Sequence, residues 1–92
     1  MNNDNYKILK AMWENKQTLV DARNFQKGKY FIGWEASARL SEVRHDPIIG
    51  KYVMTTIAPD SKKIKASCID WEMMEKDNKE LFDAIINIIQ KI

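Results

Sequence analysis

The chain has 92 residues, of which 45% are hydrophobic and 30% charged, with a formal net charge of +2. This length supports one domain with a single core, and the low content of Gly and Pro excludes a largely disordered chain. Cys68 is the only cysteine, so an internal disulfide is excluded. Neither a signal-peptide pattern nor an apolar run of roughly 20 residues is present. We therefore expect a cytoplasmic protein without membrane contact.

The charges are unevenly distributed along the chain. Residues 1–65 contain 12 Lys or Arg and 7 Asp or Glu, a balance of +5, whereas residues 66–92 contain 3 and 6, a balance of −3. A basic segment favours a nucleic-acid partner, although a small imbalance between two parts of a chain is common.

The first predicted element is a helix from Asn5, a suitable N-cap, to about Asn15. Its apolar residues repeat with i, i+4 spacing and are expected to face the core: Ile8, Leu9, Met12 and Trp13.

A second helix is predicted from Thr18, because Asp21 follows three residues later and completes a pattern like a capping box. Its buried edge would consist of residues at three-residue spacing: Leu19, Ala22 and Phe25. Gly28 is expected to end it in the left-handed conformation.

The third predicted helix spans Gly33 to His45, and the proline at position 47 ends it. Ala36, Leu40 and Val43 share one face and are expected to be buried. The opposite face is expected to be exposed, and its residues are Trp34, Ala38, Ser41, Glu42 and His45, with Ser37 at its edge and Arg39 and Arg44 on its two sides.

Two strand-like runs follow, at Lys51–Ile57 and Lys62–Trp71, with turn residues between them, which predicts a β-hairpin. Alternation in the second run places Cys68 on its buried face. Three lysines lie near the hairpin tip: Lys62, Lys63 and Lys65. They either contact phosphates or simply keep an exposed edge soluble.

The last predicted helix is capped at Asp77-Asn78 and continues to the C-terminus. Its apolar residues cover an arc wider than one packing surface needs: Leu81, Phe82, Ile85, Ile86, Ile88, Ile89 and Ile92. We expect part of this arc to pair with a second copy in a homodimer, through Leu81, Phe82, Ile85, Ile86 and Ile89. The alternative is a helix laid in a groove of its own domain and covered by Trp13, Trp71 and Met74.

The phrase WEASARLSEVR at residues 34–44, followed by the hairpin, resembles the winged helix-turn-helix family of small phage and prophage DNA-binding proteins. The resemblance covers roughly Tyr6 to Trp71. It implies an α+β fold with three helices and a hairpin wing in a domain at 1–71. The C-terminal helix at 72–92 lies outside the resemblance and is predicted as an addition to that domain. The resemblance also implies a small regulator of transcription, replication or phage development.

Two functions remain open. The first is sequence-recognising binding of double-stranded DNA, with base edges read by Trp34, Ser37, Ser41 and His45, and phosphates held by Arg39, Arg44, Lys62, Lys63 and Lys65. The second is a winged-helix module that binds and inhibits or adapts a host protein, such as an anti-host or anti-CRISPR factor. Because no catalytic, phosphate-loop or metal-ligand motif is present, we expect neither an enzyme nor a cofactor.

Overall fold

The computed structural model describes residues 2–16 and 18–92. Within these residues the chain is an α+β fold with four α-helices and a two-stranded antiparallel hairpin. The helices are α1 (Asn3–Glu14), α2 (Ala36–His45), α3 (Trp71–Asp77) and α4 (Lys79–Ile89). The strands are β1 (Val53–Ile57) and β2 (Lys65–Ile69). Two 3-10 turns, at Ala22–Phe25 and Gly50–Tyr52, complete the described elements.

Helix α1 begins two residues before the predicted cap. The side chain of Asn2 caps it by accepting a hydrogen bond from the Asp4 N–H at 2.8 Å. Asn5 is instead buried inside the helix, where its Nδ2 donates to Glu42 Oε1 of α2 at 3.1 Å. The prediction of Asn5 as the cap is therefore wrong, because a tertiary contact uses that side chain.

The predicted second helix is replaced by the 3-10 turn at Ala22–Phe25. Val20 pairs with Ser67 of β2 through two backbone hydrogen bonds, at 2.8 and 2.7 Å. A residue held in this bridge cannot also belong to a helix, so the helix predicted from Thr18 is wrong. The capping box is present but lies three residues later: the Asp21 carboxylate accepts from the Arg23 N–H, and the Asn24 side chain accepts from the Asp21 N–H.

The hairpin is confirmed, with shorter strands than predicted. Its register pairs Val53 with Ile69 and Ile57 with Lys65. The second run ends at Ile69 because the Asp70 side chain caps the next helix, accepting from the Met73 N–H at 3.0 Å. Trp71, predicted as strand, thus begins α3. Cys68 is buried as predicted, and this burial raises the pKa of its thiol.

The core joins both segments named from the sequence, 1–71 and 72–92. Helices α1, α2, α3 and α4 all contribute buried side chains to one cluster, which includes Leu9, Leu40, Met74 and Ile85. Three aromatic rings pack together beside this core. The ring centroids of Trp13 and Trp71 lie 5.2 Å apart in an edge-to-face arrangement, and those of Trp13 and Phe82 lie 5.8 Å apart.

This packing corrects the expected dimer surface on the last helix. Ile85 is 3% exposed and Ile89 is 1% exposed, so both are inside their own chain. The partly buried Leu81, Phe82 and Ile86 pack against the same core. Phe82 meets the rings of Trp13 and Trp71 of its own chain, whereas Ile88 and Ile92 of the apolar arc remain 37% and 50% exposed. Most of the arc is thus covered in cis, and a homodimer stays a prediction.

Candidate nucleic-acid interface

Helix α2 is fixed by its apolar side, which leaves the other side facing outward. Ala36, Leu40 and Val43 are buried as predicted, while Ser37 and Glu42 are exposed and Ser41 is half-buried. The helix begins three residues later than Gly33, the predicted start. Gly33 adopts a φ of 92°, and its N–H donates to the Phe25 carbonyl at 3.0 Å. This turn sets the direction in which α2 leaves the 3-10 turn.

A groove of about 410 Å³ lies between α2, the 3-10 turn at Ala22–Phe25 and the hairpin tip. We call it the basic groove; its lining residues are Ala22, Arg23, Gln26, Ser37, Leu40, Arg44, Lys63, Ile64 and Lys65. The structure thus brings together four of the residues that the sequence singled out for DNA contact: Ser37, Arg44, Lys63 and Lys65.

The cations of the basic groove differ in how far their charge is offset. Arg23 pairs with Asp21 at 2.9 Å and with Asp60 at 2.8 Å, and these two carboxylates raise the pKa of the guanidinium. Arg44, Lys63 and Lys65, in contrast, form no ion pair within the described part of the chain. Three positive charges are therefore free to meet an anion.

The hairpin tip is held in place from both sides. The Ser61 Oγ accepts hydrogen bonds from the N–H groups of Lys63 and Ile64, both at 3.2 Å. Arg23 binds both carboxylate oxygens of Asp60, at 3.0 and 2.8 Å, which ties the tip to the 3-10 turn. The lysines of the tip consequently keep a defined position relative to α2. Lys62 is exposed beside them but does not line the groove.

Arg39 does not occupy the position expected of a phosphate ligand. Its side chain is 18% exposed and pairs with Glu42 at 2.9 Å and with Glu35 at 3.9 Å. Both carboxylates belong to α2 or to its N-cap, and they offset the charge of the largely buried Arg39. Its contact with a phosphate stays a prediction, and the two ion pairs count against it.

The remaining predicted residues of α2 lie at its two ends. His45 is exposed, and its Nδ1 lies 2.8 Å from the Ser41 carbonyl oxygen. The Ser41 Oγ lies 3.2 Å from the same nitrogen, so Nδ1 is engaged within the helix and Nε2 is left for another partner. Trp34 is fully exposed in the turn before α2, next to Phe31, which is 56% exposed.

Sequence reasoning missed two features of this surface, the groove wall formed by Gln26 and the exposed ring of Phe31. No sequence pattern pointed to Gln26, because it lines the groove only where the 3-10 turn packs beside α2. The ring of Phe31 is exposed in a structure where a single 3-10 turn stands in place of the predicted second helix.

No protein-family model, curated protein or solved structure matches this chain. In the part of the chain that the structure describes, no helix combines the length and the apolar character needed to cross a bilayer.

Proposed function

We propose that the protein binds double-stranded DNA through α2 and the hairpin, as a winged-helix regulator of the phage or prophage type. The observation that carries the proposal is the basic groove, in which Arg44 of α2 faces the same space as Lys63 and Lys65 of the hairpin. Cations on a helix and on an adjoining hairpin can hold two phosphate stretches on either side of a groove.

The roles of the residues follow from their positions. Ser37 and Ser41 lie on the outward side of α2, where short hydroxyl side chains can reach base edges in the major groove. His45 can offer Nε2 at the far end of the same helix. Arg44, Lys63 and Lys65 position the duplex through its phosphates, and Lys62 adds a contact at the outer tip. Arg39 is omitted, because its charge is offset within the protein.

A salt titration of binding tests this proposal. Fluorescence anisotropy with random and genomic duplexes is expected to show affinity that falls steeply with salt. Replacing Lys63, Lys65 and Arg44 with alanine should weaken binding to all sequences and reduce the salt slope by about one unit for each lost phosphate contact. Ser37→Ala should instead change the preference between sequences.

Lys76→Ala provides the matched control, since Lys76 is an exposed lysine on α3 and does not line the basic groove. It should leave affinity and slope close to those of the wild type. Two results would overturn the proposal: absence of binding to any duplex at low salt, or an equal loss in the Lys76 control. The first result would favour the module that docks on a host protein.

A further inference from the structure

We propose that Phe31 and Trp34 form a platform for an unpaired nucleobase at one end of the basic groove, so that the preferred ligand is a duplex with an adjoining single-stranded segment. This inference rests on the proposed DNA binding and specifies its substrate class. Four residues line the platform, which we call the aromatic groove: Gln26, Phe31, Gly33 and Trp34.

Two neighbouring aromatic rings, those of Phe31 and Trp34, are exposed to solvent. Trp34 makes no burying contact with the described chain, and more than half of Phe31 is open to solvent. Every other tryptophan of the chain is shielded, since Trp71 is buried and Trp13 is half-buried in the core. Large rings left in water gain free energy when a planar group covers them.

Hydrogen bonds hold the backbone between the two rings in place. The N–H groups of Ile32 and Gly33 both donate to the Phe25 carbonyl, at 2.8 and 3.0 Å. The Phe31 ring lies over Gly33, where an added Cβ would be 3.4 Å from the ring Cζ atom. The absence of a side chain at Gly33 keeps the space beside the Phe31 ring open, and its positive φ favours glycine there. The backbone between the two rings is therefore held in place before a ligand binds.

The aromatic groove is continuous with the basic groove. Gln26 lines both grooves, so they share a wall. Ser37, which lines the basic groove, follows Trp34 by three residues and thus lies about one helical turn away. A nucleic-acid strand whose phosphates follow Arg44 and Lys63 can reach the rings within a few nucleotides. Glu35, which follows Trp34 in the sequence, lies 3.9 Å from Arg39, so its charge is partly offset.

The chemistry of the lining favours a base over an apolar peptide. Two aromatic rings, one glycine and one amide side chain offer space and hydrogen bonding for a single planar, polar ring. Cationic grooves that lead to exposed aromatic side chains are typical of single-strand binding, because every base presents a π-face and every linkage a negative charge.

The experiment compares three DNAs with the full chain: a blunt duplex of about 20 base pairs, and the same duplex with about five unpaired thymidines at its 3′ or its 5′ end. Anisotropy should show about tenfold tighter binding to one overhang than to the blunt duplex. Whether the 3′ or the 5′ overhang increases the affinity also shows the polarity of the strand on the platform. In Trp34→Ala and in Phe31→Ala this gain should fall below about twofold, whereas Trp34→Phe should keep part of it.

Ile48→Ala is the matched control, because Ile48 is a large exposed apolar residue that lines neither groove. It should keep the full gain. Tryptophan emission supplies an independent readout: the overhang should quench it in the wild type and should not in Trp34→Phe, since stacking quenches the exposed indole.

The outcomes separate this inference from the proposed function. If the blunt duplex binds but neither overhang adds affinity or quenches emission, the platform is overturned and duplex binding stands. If none of the three DNAs binds at low salt, both are overturned, and the exposed rings are assigned to a protein partner. An equal loss of the overhang gain in Ile48→Ala would also count against the platform.

Discussion

At the scale of single residues, a few polar contacts between elements hold the candidate interface in shape. Asn5 of α1 donates to Glu42 of α2, and Glu42 also binds Arg39. On the other side of the basic groove, Arg23 links the carboxylates of Asp21 and Asp60. The Asn5–Glu42 and Arg23–Asp60 contacts each join residues 37 positions apart, so the shape of the groove depends on contacts between segments that are distant in sequence.

The Asp21–Arg23 pair should make stability depend on pH. Hydrogen bonds from Arg23 hold the pKa of Asp21 below its ordinary value of 3.8. A carboxyl group whose pKa is lowered by folding contributes stability that is complete above the unfolded pKa and is lost as the pH falls through the folded pKa. Asp21→Asn keeps a capping oxygen but removes the charge, so we expect a loss of about 1 kcal/mol at pH 7 that shrinks below pH 4.

Urea unfolding of both chains at pH 7 and at pH 3 measures this difference. Asp60→Asn serves as the control, because Asp60 binds the same arginine but its side chain is 70% exposed, and it should cost less at pH 7. An Asp21→Asn loss of equal size at both pH values would show that the charge of Asp21 contributes nothing to stability.

At the scale of elements, α2 presents a mixed surface to a polyanion. Ser37 and Ser41 are compatible with close approach, whereas Glu42 places a negative charge on the same side. That charge is partly offset by Arg39 at 2.9 Å. Glu42 thus helps attach α2 to α1 through Asn5, and its charge opposes the DNA binding that we propose.

Glu42→Gln should raise duplex affinity. The amide can still accept the hydrogen bond from Asn5, while the change removes one negative charge and frees Arg39 from its nearest partner. We expect about threefold tighter binding at low salt, with the gain disappearing at high salt. Glu75→Gln on α3 gives the same change of net charge away from the basic groove and should have a much smaller effect. Weaker binding of Glu42→Gln would instead indicate that this carboxylate accepts a hydrogen bond from a base.

The elements that were predicted correctly are those whose signal is local. The buried side of α2, the hairpin and the cap at Asn78 all follow from spacing or from turn chemistry within a few residues. The prediction of the second helix was wrong for a non-local reason, because the Val20 backbone is paired with Ser67, 47 positions along the chain. The prediction of Asn5 as a cap was wrong for the same kind of reason, because its side chain contacts Glu42.

The candidate site shows the same division. Ser37, Arg44, Lys63 and Lys65 could be proposed from a helix face and a hairpin tip, and the structure brings them to one groove. The pairing of Arg39 could not be deduced, since Glu35 and Glu42 have the spacing for ion pairs on a helix but so do many exposed pairs that remain solvated.

At the scale of the whole molecule, the C-terminal segment completes the fold rather than extending from it. The Trp71 Nε1–H donates to the Met12 carbonyl at 3.2 Å, and the Tyr52 hydroxyl donates to Asp77 at 2.7 Å. The second of these bonds holds the pKa of Asp77 below its ordinary value. Helix α3 is thus anchored to α1 and to the 3-10 turn before β1.

The last prediction separates packing in cis from dimerisation through α4. Ile85 is 3% exposed and Ile88, one turn along, is 37% exposed. A glutamate at position 85 would place an unpaired charge in the core, which costs several kcal/mol against a total stability of roughly 5–15. Ile85→Glu should therefore lose its cooperative thermal transition in circular dichroism. Ile88→Glu carries the same substitution on the solvent side and should remain folded, with the mass of the wild type in light scattering. A folded Ile85→Glu chain with half the mass of the wild type would show instead that α4 forms the interface between two copies.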